Sequence, residues 1–176
     1  GKRTGHRLRH GDGSGKLPAP SAVGNQYILI VRLAGFIKLE PFARRLGSHI
    51  VQAYAKALKF FAERGLHPTR LVMDNETSPE LRQVLSASSI QPEYVPPAKH
   101  RRNRAERDMR TAKNHFIAAM SSTDPNFPFE AWDLTIPHLE LTLNLLRPSK
   151  LDPTKSAWAG LCGPYDYNRH PIGPLG

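Results

Sequence analysis

The sequence predicts an α/β fold in which a mixed sheet carries helices packed against it. Three observations lead there. Residues 27–31 (Tyr-Ile-Leu-Ile-Val) form an unbroken β-branched and aromatic run, which suits a buried strand. From Val51 the apolar spacing changes to three and four residues, the period of a helix. Short apolar runs and helical patterns then alternate as far as Met120, the order expected when helices layer onto a sheet.

The elements follow in chain order. Residues 1–25 are rich in Gly, Pro and basic side chains and read as loop, apart from a short strand near Asp12. The five residues before Asp12 (Arg-Leu-Arg-His-Gly) contain only one apolar side chain, Leu8. Residues 32–35 (Arg-Leu-Ala-Gly) form a tight connection to a second strand at 36–39, giving a hairpin. Ser48 is placed to cap a helix whose apolar face is Val51, Tyr54, Ala55, Leu58 and Phe61, and Gly65 stops it. A short apolar strand at 71–73 ends at Asp74. Ser78-Pro79-Glu80 then supplies a cap, a first-turn proline and a first-turn acid for a helix through 81–85.

A further short strand is expected at 90–95, before Pro96-Pro97. A longer helix spans 102–120, with Ala105, Met109, Ala112, Phe116 and Met120 on one face. Residues 124–128 break it. Residues 129–146 read as a second apolar helix, with Pro137 either kinking it or beginning a new segment. Phe127, Trp132 and the leucines of 139–146 read as core or subunit interface.

Composition narrows the function. The chain has 176 residues, enough for one domain with a real core. Lys and Arg number 25 against 15 Asp and Glu, a net charge of +10 with a pI near 10.1. A surplus of that size favours a polyanionic partner, of which nucleic acid is the commonest, although a merely soluble basic domain has the same arithmetic. Cys162 is the only cysteine, so an internal disulfide and a Cys-rich zinc module are excluded. His6 and His10 make two ligands at most, and read as solvated or DNA-facing side chains. No stretch approaches the roughly 20 apolar residues that cross a bilayer, so no membrane is expected. The opening at Gly1 and the Pro/Gly-rich end read as an excerpt from a longer chain.

Three acids carry candidate chemistry. Asp74 closes an apolar strand, a rigid position that suits a metal ligand; taken alone, Asp74-Asn75 is equally a turn. Glu106 lies in a basic stretch, for residues 99–113 hold seven Lys or Arg against two acids. On a helix it would share a face with Arg110 and Lys113, among cations suited to phosphate; taken alone it is an exposed ion pair with Arg110. Asp12 sits in a Gly-rich segment (His-Gly-Asp-Gly-Ser-Gly-Lys) that lacks the glycine spacing of a phosphate-cradling loop.

Asp12-Gly-Ser-Gly-Lys-Leu-Pro, then Gly24-Asn25-Gln26-Tyr27 and Val72-Met73-Asp74-Asn75-Glu76, resemble the integrase cores of copia-type retrotransposons. So do residues 100–107 (His-Arg-Arg-Asn-Arg-Ala-Glu-Arg), residues 110–114, and residues 141–147 followed by Pro153 and Ser156-Ala157-Trp158. The resemblance runs in order over roughly residues 12–172. It implies an RNase H-like three-layer fold, a mixed central sheet flanked by helices. It also implies an Asp–Asp–Glu triad binding two Mg²⁺ or Mn²⁺ ions, carried by position onto Asp12, Asp74 and Glu106. The first acid should end the leading strand, the second the fourth strand, and the third should lie on a helix.

The activity so implied is DNA 3′-end processing followed by strand transfer, in which water and then a freed 3′-hydroxyl attack phosphorus. Hard cations bound by carboxylates suit that chemistry, and no covalent protein intermediate is required. Lys99, Arg102, Arg110 and Lys113 are the expected DNA contacts. The partners implied are element ends and target DNA, further copies of the chain, and reverse transcriptase within one polyprotein. The location implied is the nucleus, after a cytoplasmic particle. The expected organisation is a basic N-terminal segment (1–11), the catalytic core (12–147) and a C-terminal extension (148–176). Two other classes remain open: a remnant that only binds nucleic acid or assembles, and an RNase H-type nuclease that only cuts.

Overall fold

The computed structural model describes residues 6–10, 17–73, 79–94 and 102–173. Its strands are β1 (His6–His10), β2 (Tyr27–Leu33), β3 (Phe36–Phe42), β4 (Pro68–Met73) and β5 (Gln91–Tyr94). They form one mixed sheet in the order β3-β2-β1-β4-β5. The helices are α1 (Gly47–Ala62), α2 (Pro79–Ala87), α3 (Arg102–Ser121), α4 (Ile136–Leu145) and α5 (Ala157–Cys162). Among the described residues, no helix is long and apolar enough to cross a membrane.

The strand expected near Asp12 lies just before it, in the middle of the sheet. β1 pairs antiparallel with β2 and parallel with β4, so its backbone has a ladder on both sides. Two ladders hold an extended segment that contains only one apolar residue, because strand formation follows pairing more than intrinsic preference. His6–His10 therefore supply the central strand.

Alternation along the strands builds three layers. Leu29, Val31, Leu33 and Phe36 meet Ala53, Tyr54, Ala57 and Phe61 of α1 on one side, with Leu81 and Leu85 of α2 and Ala157 of α5. Ile37 and Leu39, with Ile28 and Ile30, meet Ala112 and Phe116 of α3, Trp132, and Leu139 and Leu143 of α4 on the other. This is the layered α/β arrangement that the sequence predicts, in the three-layer form that the resemblance implies.

Several local expectations are corrected. Arg32 and Leu33 belong to β2, and β3 runs on to Phe42, so the hairpin connection shrinks to Ala34-Gly35, both at positive φ (51 and 96). Such a two-residue turn matches the twist of its strands. Gly35 is required twice over, since a Cβ there would also come within 2.9 Å of the Pro148 carbonyl oxygen. Ser48 does not cap α1: the helix starts at Gly47, and its N-cap, Leu46, makes no side-chain cap bond. Ala55 is exposed, one residue past the buried stripe of Ala53, Tyr54 and Ala57, because each residue turns the helix by about 100°.

Residues 129–146 divide into a 3-10 helix (Phe129–Thr135) and α4. Pro137 stands in the first turn of α4, where its missing N–H costs nothing. Trp132, Leu139 and Leu143 are core, whereas Leu146 is 79% exposed.

A candidate catalytic edge and the helix beside it

β1 and β4 are parallel neighbours, with Arg9 opposite Val72, so both run out at the same edge of the sheet. β1 ends at His10 and β4 at Met73. β5, parallel to β4, ends there too, with Tyr94 opposite Met73. Crevices beyond the carboxyl ends of parallel strands are where α/β sheets carry ligands. In the sequence Asp74 is the next residue after β4, and Asp12 is the second after β1. Asp12, Asp74 and Lys99 themselves lie outside the described residues.

α3 carries the remaining candidates on its backbone: Arg102 at its first position, Glu106 one turn on, then Arg110 and Lys113. The side chains of Arg110 and Lys113 are exposed, as a phosphate contact requires. Among the described residues, no group of three or more His, Cys, Asp or Glu is arranged to hold a metal ion. The expected ligands Asp12 and Asp74 are not in that set.

The structure adds charged residues that sequence patterns do not single out. Asp108 on α3 is 7% exposed. Arg32 of β2 donates from Nη1 to both of its carboxylate oxygens, at 2.5 and 2.6 Å, and Arg147 after α4 approaches at 3.4 Å through Nη2. Burial, and then the like charge of Arg32, draw the Arg147 guanidinium below its usual range, while Asp108 opposes them. A signal is present all the same: Asp108 lies four residues before Ala112 and eight before Phe116, on the buried face, and Arg32 interrupts an apolar strand.

A second polar group closes the edge of the sheet. Asn144 of α4 accepts from the Ile37 N–H at 2.8 Å and donates to the Ile37 carbonyl at 2.8 Å. Glu140, one turn earlier, accepts from the Leu39 N–H at 2.8 Å and from Lys38 Nζ at 2.9 Å. The Ile37 and Leu39 groups are outward-facing backbone of β3, the last strand on that side, so α4 offers it side chains where another strand would offer backbone. Burial pushes the Glu140 carboxyl up, against the pull of Lys38 and the Leu39 N–H. Burial also acts to lower Lys38, but Glu140 and Glu40 more than offset it and the ammonium ends raised. Polar residues four apart on the buried side of a leucine-rich helix are the available clue.

Between α3 and α4, His115 Nε2 lies 2.7 Å from Thr142 Oγ1. The Thr142 hydroxyl also lies 3.0 Å from the His138 carbonyl oxygen, so it links the imidazole to the backbone of α4. Burial, reinforced by His138, lowers the His115 imidazole below its ordinary 6.5.

No protein-family model matches the chain, and no curated protein matches it in sequence. Solved structures match it in fold. The HTLV-2 integrase catalytic core domain in complex with magnesium, in its trimeric form, is similar with TM-score 0.62 and 16% identity, over 89% of this chain and 96% of that one. The integrase catalytic core of BIV gives 0.59 at 10% identity, over 90% and 94%. A chain of the simian T-cell lymphotropic virus intasome, in complex with PP2A regulatory subunit B56 gamma, gives 0.65 at 18% identity, over 98% of this chain and 58% of that one. The fold of this chain is that of retroviral integrase catalytic cores, an RNase H-like mixed sheet between helical layers.

Proposed function

We propose that this chain is the catalytic core of a copia-type retrotransposon integrase, a polynucleotidyl transferase that performs 3′-end processing and strand transfer of element DNA. The adjacency of β1 and β4 carries the reading. Two parallel strands reach one edge side by side, and the motif acids Asp12 and Asp74 follow them in sequence within two residues. Glu106, the third acid, rides the second turn of α3. The likeness to integrase cores of low identity adds the fold and nothing finer.

In this reading the carboxylates of Asp12, Asp74 and Glu106 hold a pair of Mg²⁺ or Mn²⁺ ions. Three hard oxygen donors of like charge suit such ions. Bound there, the pair supplies activation of the attacking oxygen and neutralisation of charge on the leaving one. The protein's own work is to hold and align DNA. Arg110 and Lys113 present exposed cations along α3, and Lys99 and Arg102 precede them in the same basic stretch. Element ends and target DNA are the substrates. Further copies of the chain complete the assembly, as the dimeric and trimeric forms of the HTLV-2 core suggest for that protein. Reverse transcriptase would come from the same polyprotein, and the site of action is the nucleus after a cytoplasmic particle.

A strand-joining assay tests the proposal, using branched DNA with a free 3′-hydroxyl and Mg²⁺ or Mn²⁺. Asp74→Asn and Glu106→Gln are expected to abolish a joined product that the unmodified chain forms. Cut strands without joined ones would point to a nuclease. Salt-sensitive binding with no product under either metal, even with the integrase's other domains restored, would sink the enzyme reading in favour of a binding remnant.

A further inference from the structure

A buried ion cluster is an expensive way to join two elements. Desolvating charges offsets most of their attraction, and apolar side chains of similar volume commonly hold a core as well. What charged hydrogen bonds add is direction: they fix an angle and a height that apolar contacts leave free. The Arg32–Asp108–Arg147 cluster is of this kind, with its side chains 20%, 10% and 19% exposed. It also leaves Nε of Arg147 buried without a hydrogen-bond partner among the described residues.

Its place in the fold is specific. Among the described side chains of α3, Asp108 is the buried one nearest the N-terminus; the next are Ala112 and Phe116, one and two turns further along. Ala112 and Phe116 make apolar contacts, which permit sliding and rotation. Arg32 is the backbone partner of Arg9, the residue before the end of β1. Asp108 follows Glu106 by two residues, about 3 Å along the helix axis. The cluster thus ties the turn that carries Glu106 to the strand beside β1.

We propose that Asp108 and Arg32, braced by Arg147, are positioning residues that set the height and rotation of the N-terminal half of α3, and through it the placement of Glu106. The proposal rests on the catalytic reading above and names what holds its third acid in register. Asp108 touches neither DNA nor metal in this role; it acts through Glu106.

The test uses the full chain with Asp108→Asn and, separately, Arg32→Met. Hydrogen–deuterium exchange is followed along α3, and Mn²⁺ binding by calorimetry. Both variants are expected to speed exchange over 102–108 while leaving β2, β3 and 112–121 protected. Mn²⁺ affinity should fall about 10–100-fold, the usual effect of losing a group that orients a ligand. A third variant, Arg32→Met with Asp108→Leu and Arg147→Met, separates positioning from stability: its melting temperature should match or exceed the unmodified chain's, with Mn²⁺ binding still weak. Full Mn²⁺ affinity in that apolar variant would overturn the proposal, as would exchange that rises evenly through the domain. Should the unmodified chain itself bind no Mn²⁺ and join no DNA, the catalytic reading fails first and the role assigned to Asp108 falls with it.

Discussion

Asn144 is fully buried and makes three hydrogen bonds, two of them to the backbone of Ile37. Asn144→Ala would strand the buried N–H and carbonyl of Ile37. Each such group costs about 1–3 kcal/mol, so a loss of roughly 2–6 kcal/mol in unfolding free energy is expected by urea denaturation. A loss under about 1 kcal/mol would mean that the amide does not hold this strand. Residues of this sort are hard to foresee. An Asn among leucines reads as a neutral interruption until the strand it serves is known, and that strand lies 107 positions away. Asp74 and Glu106 can be proposed from sequence for the opposite reason: they sit in local patterns, a strand end and a basic helix, that one stretch of sequence displays. Arg32 reads as part of a turn because a charge after an apolar run marks a strand end, and its partner on α3 cannot be seen from the run.

Elements with strong periodicity are legible within a residue or two. α3 is expected over 102–120 and spans Arg102–Ser121, and the proline rules place the start of α2 at Pro79. β1 is faint, because its stability comes from neighbours on both sides and not from its own side chains. The α3–α4 contact carries a pH dependence that sequence does not announce. The His115 imidazole is depressed by burial, so the fold disfavours its charged form. The resulting stability is fully present above the ordinary value of 6.5 and is lost as pH falls from there through the lower folded-state value. Thermal melting of the unmodified chain should therefore drop more steeply below pH 6.5 than that of His115→Gln. Parallel melting curves across that window would remove His115 as the cause.

For the molecule as a whole, charge is the plainest lever. With +10 at neutral pH and with Arg110 and Lys113 exposed on α3, DNA binding should weaken with salt. Replacing both residues with Gln should flatten the plot of log affinity against log salt by about two units, about one for each phosphate that is no longer neutralised. An unchanged slope would move the DNA path off this face of α3. The fold class is legible at this scale because strand-and-helix alternation survives small errors at every boundary. The outcome at the sheet's rim is not legible, since it depends on α4 returning to a hairpin more than a hundred residues upstream. That return has a consequence for growth. With the N–H and carbonyl of Ile37 and the N–H of Leu39 already answered by Asn144 and Glu140, the middle of β3 cannot accept another chain's strand until α4 lets go. Two copies cannot zip together β3 to β3. Any pairing of two copies would have to use another surface, so the hairpin that opens the sheet is also the border that α4 has finished.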